Sequence, residues 1–157
     1  MISCMEAREV TRVSRVKVEE NGRVATFINE DRSVFHKVKV DGGLVENEVA
    51  ADYVVVKACI GSVIVELKGT DIEHAVDQID HTMSLVKSCK SPKNKERSSV
   101  SQAPVAGLII CTKYPRADTA FQNKLKKFVR KHGVPIHCVS VKGEFVIERV
   151  LAFDGPR

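Results

Sequence analysis

Tryptophan is absent from the 157 residues, and aromatic residues make up only 5% of them. A surface that stacks successive bases on aromatic rings is therefore not expected. No run of about 18 apolar residues occurs, so no membrane-spanning helix is expected either. The opening segment MISCMEAREV carries acids and no apolar core, and it is not read as a secretory signal. Cysteines are few and scattered. Cys4, Cys59, Cys89, Cys111 and Cys138 form no CxxC pair, and Cys59 and Cys111 sit in or beside apolar runs. Reduced structural thiols in an intracellular protein fit this usage better than a zinc site or a nucleophile. Cytoplasm and nucleus are not distinguished by it.

What is present is the composition of an ordinary globular domain, 43% hydrophobic and 29% charged. The length suits a single core. Net charge is +5 and unevenly spread. Residues 1–86 carry 10 Lys/Arg against 15 Asp/Glu, net −5, and residues 87–157 carry 15 against 5, net +10. A basic half beside an acidic half suggests a polyanionic partner, and clustered acid beside it suggests a metal.

Residues 12–40 alternate in steps of two: Val16 and Val18, then Val24, Thr26 and Ile28, then Val34, His36, Val38 and Val40. Turn signals at Asn21-Gly22 and Asn29-Glu30-Asp31 make this an antiparallel meander. Residues 52–58 and 62–68 read as two apolar strands around Cys59-Ile60-Gly61, with Val54-Val55-Val56 suited to a doubly covered position. Thr70 and Glu73 fit a capping box for an amphipathic helix over about 71–88, with Ile72, Ala75, Val76, Ile79, Met83 and Val86 on one face. Residues 88–104 are polar and read as a flexible loop. A strand is expected at Val105–Thr112, then a helix over about 118–132 that buries Phe121, Leu125, Phe128 and Val129 and stops at Gly133. Strands at Ile136–Val141 and Phe145–Phe153 would complete the chain. The order implies one α/β (α+β) domain around a mixed sheet flanked by helices. Its sections are an N-terminal meander (1–32), central strands and helix (33–87), the loop (88–104) and a basic C-terminal half (105–157).

Glu66 and Lys68 lie two apart on a strand and share a face. Charges in so apolar a strand cost several kcal/mol unless they pair or bind a metal. They are either a solvated surface pair or part of a site. Asp52 discriminates through register. If Cys59-Ile60-Gly61 is a three-residue hairpin loop with Gly61 left-handed, Val54 opposes Glu66 and Asp52 opposes Lys68. A two- or four-residue loop would send Asp52 to the other face. Two carboxylates and a lysine at a strand end can hold a hard divalent cation through oxygens. Such an ion polarises a phosphate oxygen and lowers the pKa of a bound water, while the lysine orients that water or neutralises developing charge.

At these residues the chain resembles the PD-(D/E)xK phosphodiesterase superfamily, whose fold is the restriction-endonuclease-like fold. The match is Asp52, thirteen residues, Glu66-Leu67-Lys68, then a helix. The resemblance spans residues 33–141 as strands, helix, strand, helix and strand. It implies a nuclease in which Asp52 and Glu66, with the Leu67 carbonyl, ligate Mg²⁺ (or Mn²⁺) and Lys68 stands at the attacking water. It also implies that Gln78, on the next helix, lies near the water or substrate. Ala51 stands where the signature has proline, and a helix bearing a further Glu is not visible before the first strand; Glu46 and Glu48 are the nearby carboxylates. DNA is favoured over RNA as substrate, with a homodimer or a larger complex supplying a second site. The alternative is a nuclease-like adaptor without turnover, and a third reading makes Glu66 and Lys68 a plain surface pair.

For nucleic-acid contact the candidates are Lys113 and Arg116, after a strand end, and Lys124, Lys127, Arg130 and Lys131 along a helix. A solvated helix face is the competing explanation. His74 and His81 share a helix face with Gln78 and are read as solvated or partly packed, and His36 as core or surface.

Overall fold

The computed structural model describes residues 8–43, 45, 49–67, 71–88, 103–112, 118–140 and 143–156. Two strands, β1 (Arg8–Thr11) and β2 (Arg15–Glu20), precede a tight turn into β3 (Arg23–Ile28). Asn21 and Gly22 both have positive φ, 50° and 78°, as a two-residue turn matched to strand twist requires. The hairpin sets Val16 opposite Phe27 and Val18 opposite Ala25. Those four residues are buried, while Val24 and Ile28 are only half-buried. The most deeply buried residues of β3 are thus Ala25 and Phe27, and of the alternating Val24, Thr26 and Ile28 only Thr26 is buried. Period two identified the strand without identifying its buried face.

A second departure follows at Asn29. Its side-chain amide donates to the carbonyls of Val13 (3.0 Å) and Ser33 (2.9 Å), and its Oδ1 accepts from the Ser33 N–H (3.0 Å). This buried knot leads the chain out of the hairpin into a different sheet. The expected three-stranded meander is therefore a two-stranded hairpin, and β4 (Phe35–Lys39) belongs elsewhere.

The large sheet has the order β1-β4-β5-β6-β7-β8, with β5 (Tyr53–Lys57), β6 (Gly61–Leu67), β7 (Val105–Ile110) and β8 (Ile136–Val139). Pairing is antiparallel from β1 through β6 and parallel for β6–β7 and β7–β8. The helices α1 (Ile72–Ser88) and α2 (Thr119–His132) make the two parallel crossovers. Asp71 begins α1 by accepting the His74 N–H at 3.2 Å; Thr70, the expected cap, lies outside the described residues. Asp118 caps α2 by accepting the Phe121 N–H, and Gly133 ends it at φ 65°. The expected flexible segment falls, at 89–102, outside the described residues.

Val63, Ile64 and Val65 are fully buried, so β6 is covered on both faces. On one side Val54, Ile64 and Ile109 pack with Ile79, Met83, Phe121 and Phe128 of the helices. On the other, Val55, Val63, Val65 and Leu108 meet Val16, Phe27, Phe145 and Ile147. This second layer is a three-stranded sheet, β2-β3-β9, plus a short helix. Here the last expected strand is corrected. Phe145–Phe153 is instead the end of β9 (Gly143–Phe145), then one helical turn, α3 (Ile147–Val150). Ile147 and Val150, three apart, both point into the core, a spacing a turn of helix satisfies and a strand does not. At Gly107 a Cβ would lie 3.0 Å from side-chain carbons of both Ile79 and Ile136, so the glycine sets how closely α1 approaches β7.

Candidate active site

The β5–β6 hairpin fixes the site. Its ladder runs from Tyr53–Val65 to Lys57–Gly61, so the three-residue turn is Ala58-Cys59-Ile60. Cys59 takes the left-handed conformation (φ 66°), and Gly61 is an ordinary paired strand residue. The expected pairing is therefore off by two: Val54 opposes Ile64, not Glu66. A slip of two preserves the face of every side chain, whereas a slip of one would invert it. One step beyond the last pair, Asp52 and Glu66 come level on the helix side of the sheet.

Their geometry is reciprocal. The Asp52 N–H donates to Glu66 Oε2 at 3.1 Å, and the Leu67 N–H donates to Asp52 Oδ2 at 2.8 Å. Where the two strands part, these N–H groups lose cross-strand carbonyls, and the carboxylates supply charge-assisted acceptors in their place. Both acids are nearly dry: Glu66 is 2% exposed and Asp52 8%. Two carboxyl groups brought level in so desolvated a place are a candidate seat for a cation.

Helix α1 packs on the same face of the sheet and is tied to the residues just before Asp52. The Gln78 side chain, also buried, donates from Nε2 to the Ala50 carbonyl at 3.0 Å. That bond fixes the amide orientation, since a carbonyl needs a donor. Gln78 Oε1 is left buried without a hydrogen-bond partner among the described residues. Asp52, Glu66 and Gln78 thus offer only oxygen to a ligand, the donor type that Mg²⁺ and Mn²⁺ prefer. No group of three or more His, Cys, Asp or Glu side chains converges among the described residues. A cation here would rest on the two acids, the Leu67 carbonyl, water and substrate, as Mg²⁺ sites often do.

The remaining site residues separate into groups. Lys68, Lys113, Arg116, Glu46 and Glu48 lie outside the described residues. Lys124 and Lys131 turn toward α1, where Lys124 pairs with Asp77 at 2.8 Å and Lys131 with Asp80 at 3.1 Å. Burial alone would raise the Asp80 carboxyl, but hydrogen bonds from His132 and Lys131 bring it below its usual value. Lys127 and Arg130, with Lys126, are exposed and make no ion pair among the described residues. Of the shared helix face only Gln78 is buried; His74 is half-buried and His81 exposed. His36 is half-buried on β4, its ring held below the usual histidine value first by burial and then by the Arg8 charge. Cys111 and Cys138 are free thiols with sulfurs 3.4 Å apart; burial, and then the Cys111 thiol, push Cys138 far above the usual range, as an inert pair requires.

One participant was missed. Thr82 Oγ1 accepts the Ala51 N–H at 2.8 Å and donates to the Gln78 carbonyl at 2.8 Å. A hydroxyl between Ile79 and Met83 on an apolar helix face was the available signal.

The fold and these residues define a mixed α/β protein with a buried carboxylate pair at the open end of a hairpin. Comparison with protein-family models, curated proteins and solved structures finds no match to the chain.

Proposed function

We infer that this protein is a metal-dependent phosphodiesterase of the PD-(D/E)xK kind, with a restriction-endonuclease-like fold, acting on nucleic acid, DNA before RNA. The observation that carries the reading is the approach of Asp52 to Glu66, each acid accepting a backbone N–H from beside the other, with the buried Gln78 bonded to Ala50 two residues before Asp52. The succession of β4, β5, β6, α1, β7, α2 and β8 supports it, because it is the order the resemblance implies.

Asp52, Glu66 and the Leu67 carbonyl would hold Mg²⁺ or Mn²⁺, which when bound supplies charge for a phosphate oxygen and acidity for a water. Gln78 has a narrower role than its residue type suggests. With Nε2 committed to Ala50, only Oε1 remains, so the role open to Gln78 is to accept a hydrogen bond from the attacking water and aim its lone pair, without taking its proton. Lys68 neutralises charge developing on the phosphate. The water oxygen bonds to phosphorus and gives its proton to solvent, while the ester P–O bond breaks and the leaving oxygen departs with the electron pair and takes a proton from solvent. Lys127 and Arg130 are suited to backbone phosphates, and Lys113 and Arg116 are assigned the same role from sequence. Lys124 and Lys131 are engaged with α1 and contribute less. Cutting both strands requires a second site, supplied by a homodimer or a partner subunit, and the substrate implies an intracellular setting.

Incubating wild type, Asp52→Ala and Glu66→Ala with DNA and Mg²⁺ tests the assignment. Cleavage by wild type alone, abolished by a chelator, is expected; equal cleavage by all three overturns it. A second reading, an adaptor that binds nucleic acid without turnover, draws on the backbone bonds that each carboxylate already accepts. It is distinguished by salt-dependent binding without product.

A further inference from the structure

The geometry points to Thr82 as a positioning residue that sets Asp52 through the Ala50–Ala51 peptide. This rests on the hydrolytic reading above for its functional meaning. Threonine inside a helix commonly bonds back to the carbonyl four residues earlier, and Thr82 does so with Gln78. Having donated there, the hydroxyl can only accept elsewhere, and it accepts from Ala51, 31 residues away in the chain. The Ala50 carbonyl and the Ala51 N–H belong to one peptide group. Gln78 holds the first and Thr82 the second, so both polar ends of that plane are tied to consecutive turns of α1.

The restraint passes directly to the acid. The Ala51 and Asp52 carbonyls accept from the Asp41 and Val40 N–H groups at 3.2 and 2.9 Å, which fixes the next two peptides. Asp52 then has little freedom except in its side chain, and Oδ2 is seated on the Leu67 N–H. Ala50, Ala51 and Thr82 are each at most 1% exposed, so water cannot substitute for the hydroxyl. A proline at 51 would have no N–H to satisfy and a fixed φ. Alanine has both a donor and rotational freedom, and Thr82 removes each.

Thr82→Val keeps the shape and deletes the acceptor, and Thr82→Ser restores it. Ile79→Val is the packing control on the same helix. Amide exchange at Leu67, compared with interior amides of β6, reads whether Asp52 keeps its place without reference to any metal. Mn²⁺ titration of the full chain reads the consequence. Thr82→Val should accelerate Leu67 exchange selectively and weaken Mn²⁺ binding, each by about tenfold, with Thr82→Ser within about threefold of wild type. Unchanged Leu67 exchange in Thr82→Val, failure of Thr82→Ser to restore it, or the same selective change in Ile79→Val would overturn the assignment. A wild type that binds no Mn²⁺ overturns the hydrolytic reading and with it the functional part of this one, while the Leu67 amide still decides whether Thr82 holds Asp52.

Discussion

The β5–β6 hairpin buries charge at both of its ends, with opposite outcomes. At the turn end, Lys57 is 8% exposed, stands 6.0 Å from the Phe35 ring centroid and meets Glu148 at 2.8 Å and Asp31 at 3.7 Å. Burial alone would lower the Lys57 ammonium, yet Glu148 and Asp31 more than offset this and hold it above its usual value. At the open end, two carboxyl groups lie level on the other face of the sheet, each accepting a main-chain N–H. The first arrangement is complete within the fold and ties α3 to β5. The second gathers two acids in one buried place, and on the proposed reading such residues trade stability for chemistry.

The largest expected effect tests that contrast at the open end. Glu66→Gln should lower cleavage on the order of 10³-fold, about 4 kcal/mol of barrier, while leaving the thermal midpoint unchanged or raised. A matched loss of stability would make Glu66 an ordinary structural acid. Next is Lys57→Met, which should destabilise the protein by about 2 kcal/mol in urea unfolding, short of a fully buried pair because Glu148 and Asp31 are exposed. Cleavage per folded molecule should not change. If Lys57→Met abolished activity at undiminished stability, the two ends would have exchanged roles.

A third, smaller effect concerns α3, which carries Glu148. His137, buried on β8, bonds through Nε2 to the Val150 and Ala152 carbonyls at 2.9 and 3.0 Å. Its Nε2 must therefore carry a proton. Burial lowers its pKa from 6.5, against the raising effect of those carbonyls. In the unfolded chain the ring takes its proton near 6.5, so below that pH the unfolded state binds more protons and stability falls until the folded value is passed. The urea midpoint should drop on acidification below about pH 6.5, and His137→Gln should flatten that drop. An equal slope in both proteins would place the acid sensitivity elsewhere. The smallest effect is Lys124→Ala, expected to cost only about 0.5 kcal/mol because the pair is exposed, and to change the salt dependence of DNA binding less than Lys127→Ala.

Legibility in the sequence followed the kind of physics involved. Both α1 and α2 were readable because 3.6-residue periodicity and the stop at Gly133 are local signals. Asp52 and Glu66 met because parity depends only on whether the turn is odd or even. The actual pairing was not readable, since Cys59 takes the left-handed role that glycine usually takes. Partner choice was the weakest point. Nothing in residues 34–40 says whether they continue the hairpin or join another sheet; the decision is made by Asn29, whose bonds reach Val13 and Ser33. Thr82 was overlooked because its partner, Ala51, has no side-chain polarity and acts through the main chain.

The parallel pairing of β3 with β9 brings segments from near the two ends of the described chain into one sheet. On the ribosome the β2–β3 hairpin emerges well before β9 and must wait for its third strand while the central sheet and both long helices are synthesised. Until then the apolar underside formed by Val55, Val63, Val65 and Leu108 lacks part of its cover. A nascent chain should therefore depend on chaperone shielding until β9 has emerged, and a polypeptide halted before residue 143 should be cleared rather than accumulate.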